Sequence, residues 1–199
     1  MHLIVISSPV SIPDEADLIN RMFDAGLKLF HLRKPGDTLG EVRRLIQHIE
    51  PMYYSGIALH QYHEMAEEFG MKRLHFKEES RSLKAHRSLL KTKGYTLSTS
   101  VHDLSDLHSM EEFDYVFFSP VFDSISKPGY PAVIGQDFKL DKSIVANVIA
   151  LGGLNRQNVN QVRTMGFAGA AVLGALWNDP KNAIKNLIEL LKETDEGNR

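Results

Sequence analysis

Eight short apolar runs alternate with amphipathic segments along the chain, and no low-complexity linker interrupts them. The runs at 2–7, 27–33, 56–60, 72–76, 95–100, 114–118, 147–151 and 169–173 are short and apolar enough to be strands. The segments between them carry apolar residues at helical spacing: Ala16, Ile19, Met22 and Phe23 within 14–25, and Leu39, Val42, Leu45, Ile46 and Ile49 within 38–53. Further helices are expected over 62–69, 80–92, 103–110, a short 142–146, 155–165 and 180–194. Strands joined by helical crossovers lie parallel, and the crossovers share one hand. Eight such units point to an α/β fold, a (β/α)8 TIM barrel forming a compact single domain over 1–199, with a doubly wound open sheet as the fallback. At 199 residues such a barrel must have short loops. The stretch 119–139, with Pro120, Pro128, Gly129, Pro131 and Gly135, is the exception, and long loops in compact domains usually serve function.

Composition narrows the function. A formal charge of −2 supplies no basic field for nucleic acid, so no nucleic-acid partner is expected. The chain has no cysteine, which removes disulfides, thiolate catalysis and zinc–sulfur sites. Residues 1–8 lack the basic start of a signal peptide, and no apolar run approaches the 18 or so residues that span a bilayer. The expectation is a cytoplasmic protein with no membrane partner. No Gly-x-Gly-x-x-Gly follows the first strand and no Walker sequence occurs.

In a barrel the chemistry sits at the carboxyl ends of the strands. The last two strands both stop in glycine, at Leu151-Gly152-Gly153 and Leu173-Gly174. Bare backbone there can bring amides, and the positive end of the next helix, against an oxyanion, with Asn155 placed to cap that helix. Strand two ends in His31-Leu32-Arg33-Lys34, where alternation puts His31 and Arg33 on one side with Lys34 just beyond. Strand three ends in His60-Gln61, strand four carries His75 ahead of Glu78-Glu79, and strand five ends in Ser98-Thr99-Ser100-Val101-His102. Strand six runs into Ser119, Ser124, Ser126 and Lys127, whose hydroxyls and ammonium suit an anionic ligand.

Taken in order, these residues resemble the thiamine phosphate synthase and TenI family of (β/α)8 barrels. The resemblance is carried by His31-Leu32-Arg33, Leu74-His75, Ser100-Val101-His102, the run from Ser119 to Lys127, Leu151-Gly152-Gly153-Leu154 and Leu173-Gly174-Ala175-Leu176, and it covers nearly the whole chain. It implies a hydroxyethylthiazole phosphate ligand whose phosphate meets the amides of Gly152, Gly153, Gly174 and Ala175. Replacing Gly153 or Gly174 by a bulky residue is then expected to weaken binding and leave the fold largely intact.

Synthases of this family join the thiazole to an aminopyrimidine pyrophosphate with magnesium held by carboxylates. Here the matching positions are His60-Gln61 and Ser80, and Pro35 stands where synthases usually carry a second lysine. A neutral amide and a hydroxyl suit magnesium poorly. The TenI branch, similar to this chain in its histidine at 31 and its lack of metal carboxylates, implies a thiazole tautomerase, which needs no metal and no other cofactor. The histidine usually credited with that proton transfer falls on Ser119, so His31 and His60 are the candidate catalytic residues, with His75 and His102 read as structural. Arg33, Lys34, Ser100, Ser119, Ser124, Ser126, Lys127, Gly152, Gly153, Gly174 and Ala175 are the candidate substrate contacts. Three alternatives stay open: a synthase with altered magnesium ligands, a non-catalytic binder of thiazole or thiamine phosphates, and a small zinc hydrolase with His31, His60 and His75 as ligands. The oligomeric state, monomer or homo-oligomer, is open too.

Overall fold

The computed structural model describes residues 1–81, 84–123, 134–135 and 137–196. Strands β1 (His2–Ile6), β2 (Leu29–Leu32), β3 (Ile57–Leu59), β4 (Arg73–Phe76), β5 (Thr96–Val101), β6 (Tyr115–Phe118), β7 (Val148–Leu151) and β8 (Gly169–Val172) pair in sequence order into a closed parallel barrel. Closure comes from β8 pairing back onto β1, with His2 opposite Gly169 and Val5 opposite Val172. All eight strands fall within a residue or two of the apolar runs that predict them.

The helices are shorter than their periodicity suggests. They are α1 (Glu15–Asp24), α2 (Leu39–Gln47), α3 (Met65–Glu68), α4 (Lys84–Thr92), α5 (Gln161–Thr164), α6 (Gly174–Trp177) and α7 (Ala183–Glu196). Helix α2 begins at a full capping box, in which the Thr38 hydroxyl accepts from the Glu41 N–H while Glu41 reaches back to the Thr38 N–H, and it buries Val42 and Ile46. The expected helix then gives way to a 3-10 turn, Pro51–Gly56, started by Pro51 at its first position. After β5 the connection is also 3-10, Leu104–Ser109. The short helix expected at 142–146 is instead a turn, in which the Asp141 side chain accepts from the Ser143 N–H and so competes with helical bonding. Asn155 caps a turn rather than α5, accepting from the Gln157 N–H at 2.8 Å.

Strand alternation splits the core in two. One set, including Leu3, Val5, Phe30, Leu32, Leu74, Leu97, Val116, Phe118, Val148 and Val172, faces outward beneath the helices. The other, Ile4, Ile6, Tyr115, Phe117, Ile149 and Ala171, fills the barrel interior from β1, β6, β7 and β8. On β2, β4 and β5 the inward positions are His31, His75 and Ser98, all buried. The interior is therefore apolar on one side and polar on the other, and buried polar groups must find partners there.

Candidate active site

The polar side of the interior holds two hydrogen-bonded sets, one of His60, His31 and Tyr115 and one of Ser98, His75 and Ser100. His31 Nδ1 lies 2.8 Å from His60 Nε2, and His31 Nε2 lies 2.7 Å from the Tyr115 hydroxyl. His75 Nδ1 is 3.0 Å from Ser98 Oγ, and its Nε2 is 3.2 Å from Ser100 Oγ. The His60 and His75 rings stack with centroids 3.9 Å apart. Burial, with the neighbouring His75 and Arg73 adding to it, holds the His31 imidazole well below its usual range. Burial does the same to His60, reinforced by His75, His31 and Arg33, and pushes His75 down to about 3. Tyr115 is pushed up to about 12, again by burial first, so all four groups are neutral at pH 7.

Alternation puts His31 and His75 inside, as the sequence implies, but at different stations. Both His31 nitrogens are engaged, so His31 cannot itself meet a substrate. His60, one residue beyond β3, is 7% exposed and its Nδ1 has no partner among the described residues. His60 is thus the cluster's contact with the barrel mouth. Nitrogen atoms of His31, His60 and His75 all come within 4.8 Å of one another, the grouping a zinc site would need. Apart from His60 Nδ1, their ring nitrogens are instead committed to each other and to Tyr115, Ser98 and Ser100. Tyr115 and Ser98 are absent from the sequence-derived candidates. Tyr115 opens the all-apolar run Tyr-Val-Phe-Phe, and the available signal was parity: it shares its inward side with Phe117 while carrying a hydroxyl that must be satisfied.

The other candidates differ in where they lie. Arg33 is half-buried, forms no ion pair among the described residues, and lies close enough to lower the pKa of both His60 and His75. Gly152, Gly153, Gly174 and Ala175 are all part-exposed. Gly174 and Ala175 begin α6, so their N–H groups have no acceptor within that helix. Gly152 and Gly153 have φ of +99° and +65°, where glycine is favoured. They carry the segment after β6, with Val121 donating to Leu151 O and Phe122 to Gly152 O. A Cβ on Gly152 would come within 2.9 Å of Pro120, and one on Gly153 would come 2.7 Å from Phe122 and collide with the Asp123 carbonyl. The expectation of an intact fold on substituting Gly153 is therefore corrected: that glycine also seats the 120–123 loop. Ser119 precedes a cis peptide to Pro120, and its carbonyl accepts from His102 Nδ1 at 2.9 Å, with Ser119 Oγ 3.3 Å from the same nitrogen. Ser100 serves the histidine set, as above. Ser124, Ser126 and Lys127 lie outside the described residues.

Lys34 is the clear correction. It is fully buried, and its ammonium donates to Glu15 Oε2 at 2.6 Å and to Val10 O at 3.1 Å, so it braces the β1–α1 connection rather than facing a ligand. The extra residue beyond Arg33 reverses its direction, as strand alternation requires.

Magnesium, which the resemblance implies for synthase chemistry, does not fit these residues. The Gln61 amide is closed onto the backbone of Lys34, accepting from its N–H at 3.0 Å and donating to its carbonyl. Ser80 is exposed and donates to Lys77 O, while Glu78 pairs with Arg81 at 2.9 Å. Among the described residues the one grouping of three or more potential metal ligands is the histidine set, which offers nitrogen where magnesium prefers oxygen. A cleft of about 570 Å³, lined by residues such as Ser11, Asp14, Glu41, Arg44 and His48, opens between α1 and α2 on the flank of the barrel, away from the strand-end glycines. No described helix is long and apolar enough to cross a membrane.

The family model described as thiamine monophosphate synthase matches residues 2–176. A thiamine-phosphate synthase of Psychrobacter sp. is 32% identical over 123 residues, which is 57% of this chain and 57% of that protein, little more than half of either. One from Streptococcus suis is 26% identical over 186 residues, covering 87% of this chain and 80% of that one. Among solved structures, the thiamine phosphate pyrophosphorylase of Bacteroides thetaiotaomicron superposes with a TM-score of 0.76 at 26% identity over 98% of both chains. That of Pyrococcus furiosus gives 0.79 at 20% identity over 98% and 96%, a likeness of fold. A match over most of the length, with the same closed barrel beneath it, places this chain in the thiamine monophosphate synthase family.

Proposed function

We propose that the protein is a metal-independent thiazole tautomerase, which moves a proton between two positions of a carboxythiazole phosphate and makes no thiamine phosphate itself. The observation that carries this reading is the fate of Gln61 and Ser80: both side chains are tied to backbone carbonyls where a synthase would need oxygen ligands for magnesium. A proton shift needs only a group that accepts one proton and a group that gives one back, and neutral imidazole does both. His60 Nδ1, at the mouth, would take the substrate's proton. The strand-end amides of Gly153, Gly174 and Ala175 would receive the phosphate, and Arg33, across the mouth beside His60, the carboxylate.

The relatives favour a second reading, since those compared are named thiamine-phosphate synthases. One experiment separates the two. Purified protein is incubated with the carboxythiazole phosphate tautomer alone, and separately with the thiazole phosphate, the aminopyrimidine pyrophosphate and magnesium. Turnover in the first mixture only supports the tautomerase. Magnesium-dependent product in the second, at rates on the order of 1 per second or more, supports the synthase. Binding of the thiazole phosphate with no turnover in either identifies a binding protein.

A further inference from the structure

The cleft between α1 and α2 takes no part in the proton transfer proposed above. Its volume, about 570 Å³, is that of a small-molecule site. Asp14, Glu15 and Asp17 line it from the start of α1, and Asp37 and Glu41 line it from the β2–α2 side. Arg44 is the one lysine or arginine in its wall, so the lining carries an excess of negative charge. Ile12, Ala16 and Leu45 add apolar surface.

Charge alone would say little, since exposed acids are well solvated. Glu15 is different. It is 5% exposed, its Oε2 is taken by the Lys34 ammonium at 2.6 Å, and its Oε1 has no hydrogen-bond partner among the described residues. A carboxylate oxygen withdrawn from water and left unpaired is costly, so a donor brought against it gains more than a surface contact would give. Asp37 lies close enough for its charge to raise the Glu15 pKa, and its Oδ2 accepts from Ser11 Oγ at 3.0 Å. Asp17 pairs with Arg21 at 3.8 Å, and Glu41 is closed onto Thr38. The Asp14 side chain makes no capping bond. Asp14, Glu15 and Asp37 are therefore the acids with oxygens to spare among the described residues.

The spread of these acids decides what kind of cation suits them. A metal ion needs several ligand atoms converging on one point, and among the described residues the only grouping of three that does so is the histidine set inside the barrel. Separated carboxylates with apolar surface among the lining residues suit an extended cation instead, one whose N–H donors are joined by methylenes. We propose that this cleft binds an aliphatic diamine or polyamine, with one ammonium donating to Glu15 and Asp37, a second meeting Asp14, and the methylene chain lying against Ile12, Ala16 and Leu45. An ammonium has three donors and no acceptor, so it answers an unpaired carboxylate oxygen without bringing a new unsatisfied group. Lys34 does not line the cleft and holds Glu15 from behind. The site lies apart from the barrel mouth, and the proposal does not depend on the tautomerase reading.

Isothermal titration with 1,4-diaminobutane and with spermidine tests this, at neutral pH and about 0.15 M salt, where exposed charges are largely screened. The expected result is one saturable site with a Kd below about 1 mM. Butylamine, with the same stem and a single charge, should bind about tenfold more weakly, the scale of one lost charge-assisted hydrogen bond. Asp14→Asn and Asp37→Asn should each weaken the diamine by a similar factor, about tenfold. Both are mild changes outside the core, and asparagine accepts the left-handed backbone at position 14. Glu15→Gln should weaken it most, and the two asparagine variants carry the test if the loss of charge opposite Lys34 unfolds that protein. Glu111→Gln removes an exposed acid between β5 and β6 and should leave affinity unchanged. Methyl NMR during the titration should move the signals of Ile12, Ala16 and Leu45 while that of Ile149, inside the barrel, stays in place. Absence of saturable binding by either probe overturns the proposal. Binding that ignores the cleft variants, or that falls as much in Glu111→Gln, overturns it too, because it would be a general attraction of cations to an acidic surface.

Discussion

The Lys34 ammonium lies 2.6 Å from Glu15 Oε2, with the two side chains 0% and 4% exposed. Burial raises the Glu15 pKa, and the hydrogen bond and charge of Lys34 pull it back down. The second Glu15 oxygen, Oε1, is buried with no partner among the described residues, so Lys34 does most to make the buried carboxylate tolerable, helped by the Ile12 backbone. The pair ties the end of β2 to the start of α1, where Asp14 holds a left-handed φ of 54°.

Removing one member of such a pair strands the other. Lys34→Met is expected to cost about 3–5 kcal/mol in denaturant unfolding, the range for breaking a buried ion pair. The double variant Lys34→Met, Glu15→Leu should recover much of that loss, because the stranded charge is gone. A cost under about 1 kcal/mol for the single variant would mean that Glu15 reaches water or a proton more easily than its burial allows. Thiazole phosphate affinity should survive in any variant that folds, since Lys34 does not face the mouth.

Gly153 is expected to be costly for a different reason. At φ +65° an alanine would pay about 1–2 kcal/mol for the left-handed backbone, and its Cβ would push against Phe122 and Asp123. Gly153→Ala should therefore lower both stability and phosphate affinity together, read by thermal melting with and without thiazole phosphate. Unchanged affinity in a folded variant would remove the strand-end amides from the site.

The strands were legible in the sequence because a buried parallel strand is a local pattern, a short apolar run stopped by glycine or a polar pair, as in Val148–Leu151 before Gly152. Alternation also placed His31 and His75 inside. What it could not supply was the partner. Lys34 reads as a basic residue at a strand end until Glu15, nineteen residues earlier, is folded beside it. Tyr115 reads as one more apolar residue until its hydroxyl meets His31 from a strand 84 residues away. Short helices failed for the opposite reason. A segment such as 142–146 leaves room for only a short helix, so tertiary contacts decide, and those favoured a turn.

Restoring a carboxylate at Gln61 should not restore a metal site. Gln61→Asp shortens the side chain and deletes its N–H donor, so the two bonds to the Lys34 backbone are lost. A loss of about 1–3 kcal/mol is expected from leaving those backbone groups unpaired. Magnesium at millimolar concentration should shift the melting temperature of neither the wild-type protein nor the variant. A magnesium-dependent rise in the wild-type protein would show that Glu78 or Glu79 completes a ligand set after all.

Acid should destabilise this barrel earlier than a protein of its charge would otherwise require. In the folded state His31 and His60 lie well below the usual imidazole pKa, and His75 is at about 3, all through burial first. In the unfolded chain each titrates near 6.5. Below that pH the unfolded state binds more protons than the folded one, so stability rises with pH in this window and is lost as pH falls from about 6.5 toward 3. Each such histidine adds about 1.4 kcal/mol per pH unit to the slope, and above 6.5 the contribution is fully present and flat. Unfolding followed by denaturant at pH 7, 6, 5 and 4 should show a slope that shrinks by about one proton in His75→Gln, a neutral replacement for that ring. A slope unchanged by that substitution would mean that His75 gains its proton in the folded barrel as readily as in the unfolded chain, and that the interior is wetter than its packing indicates.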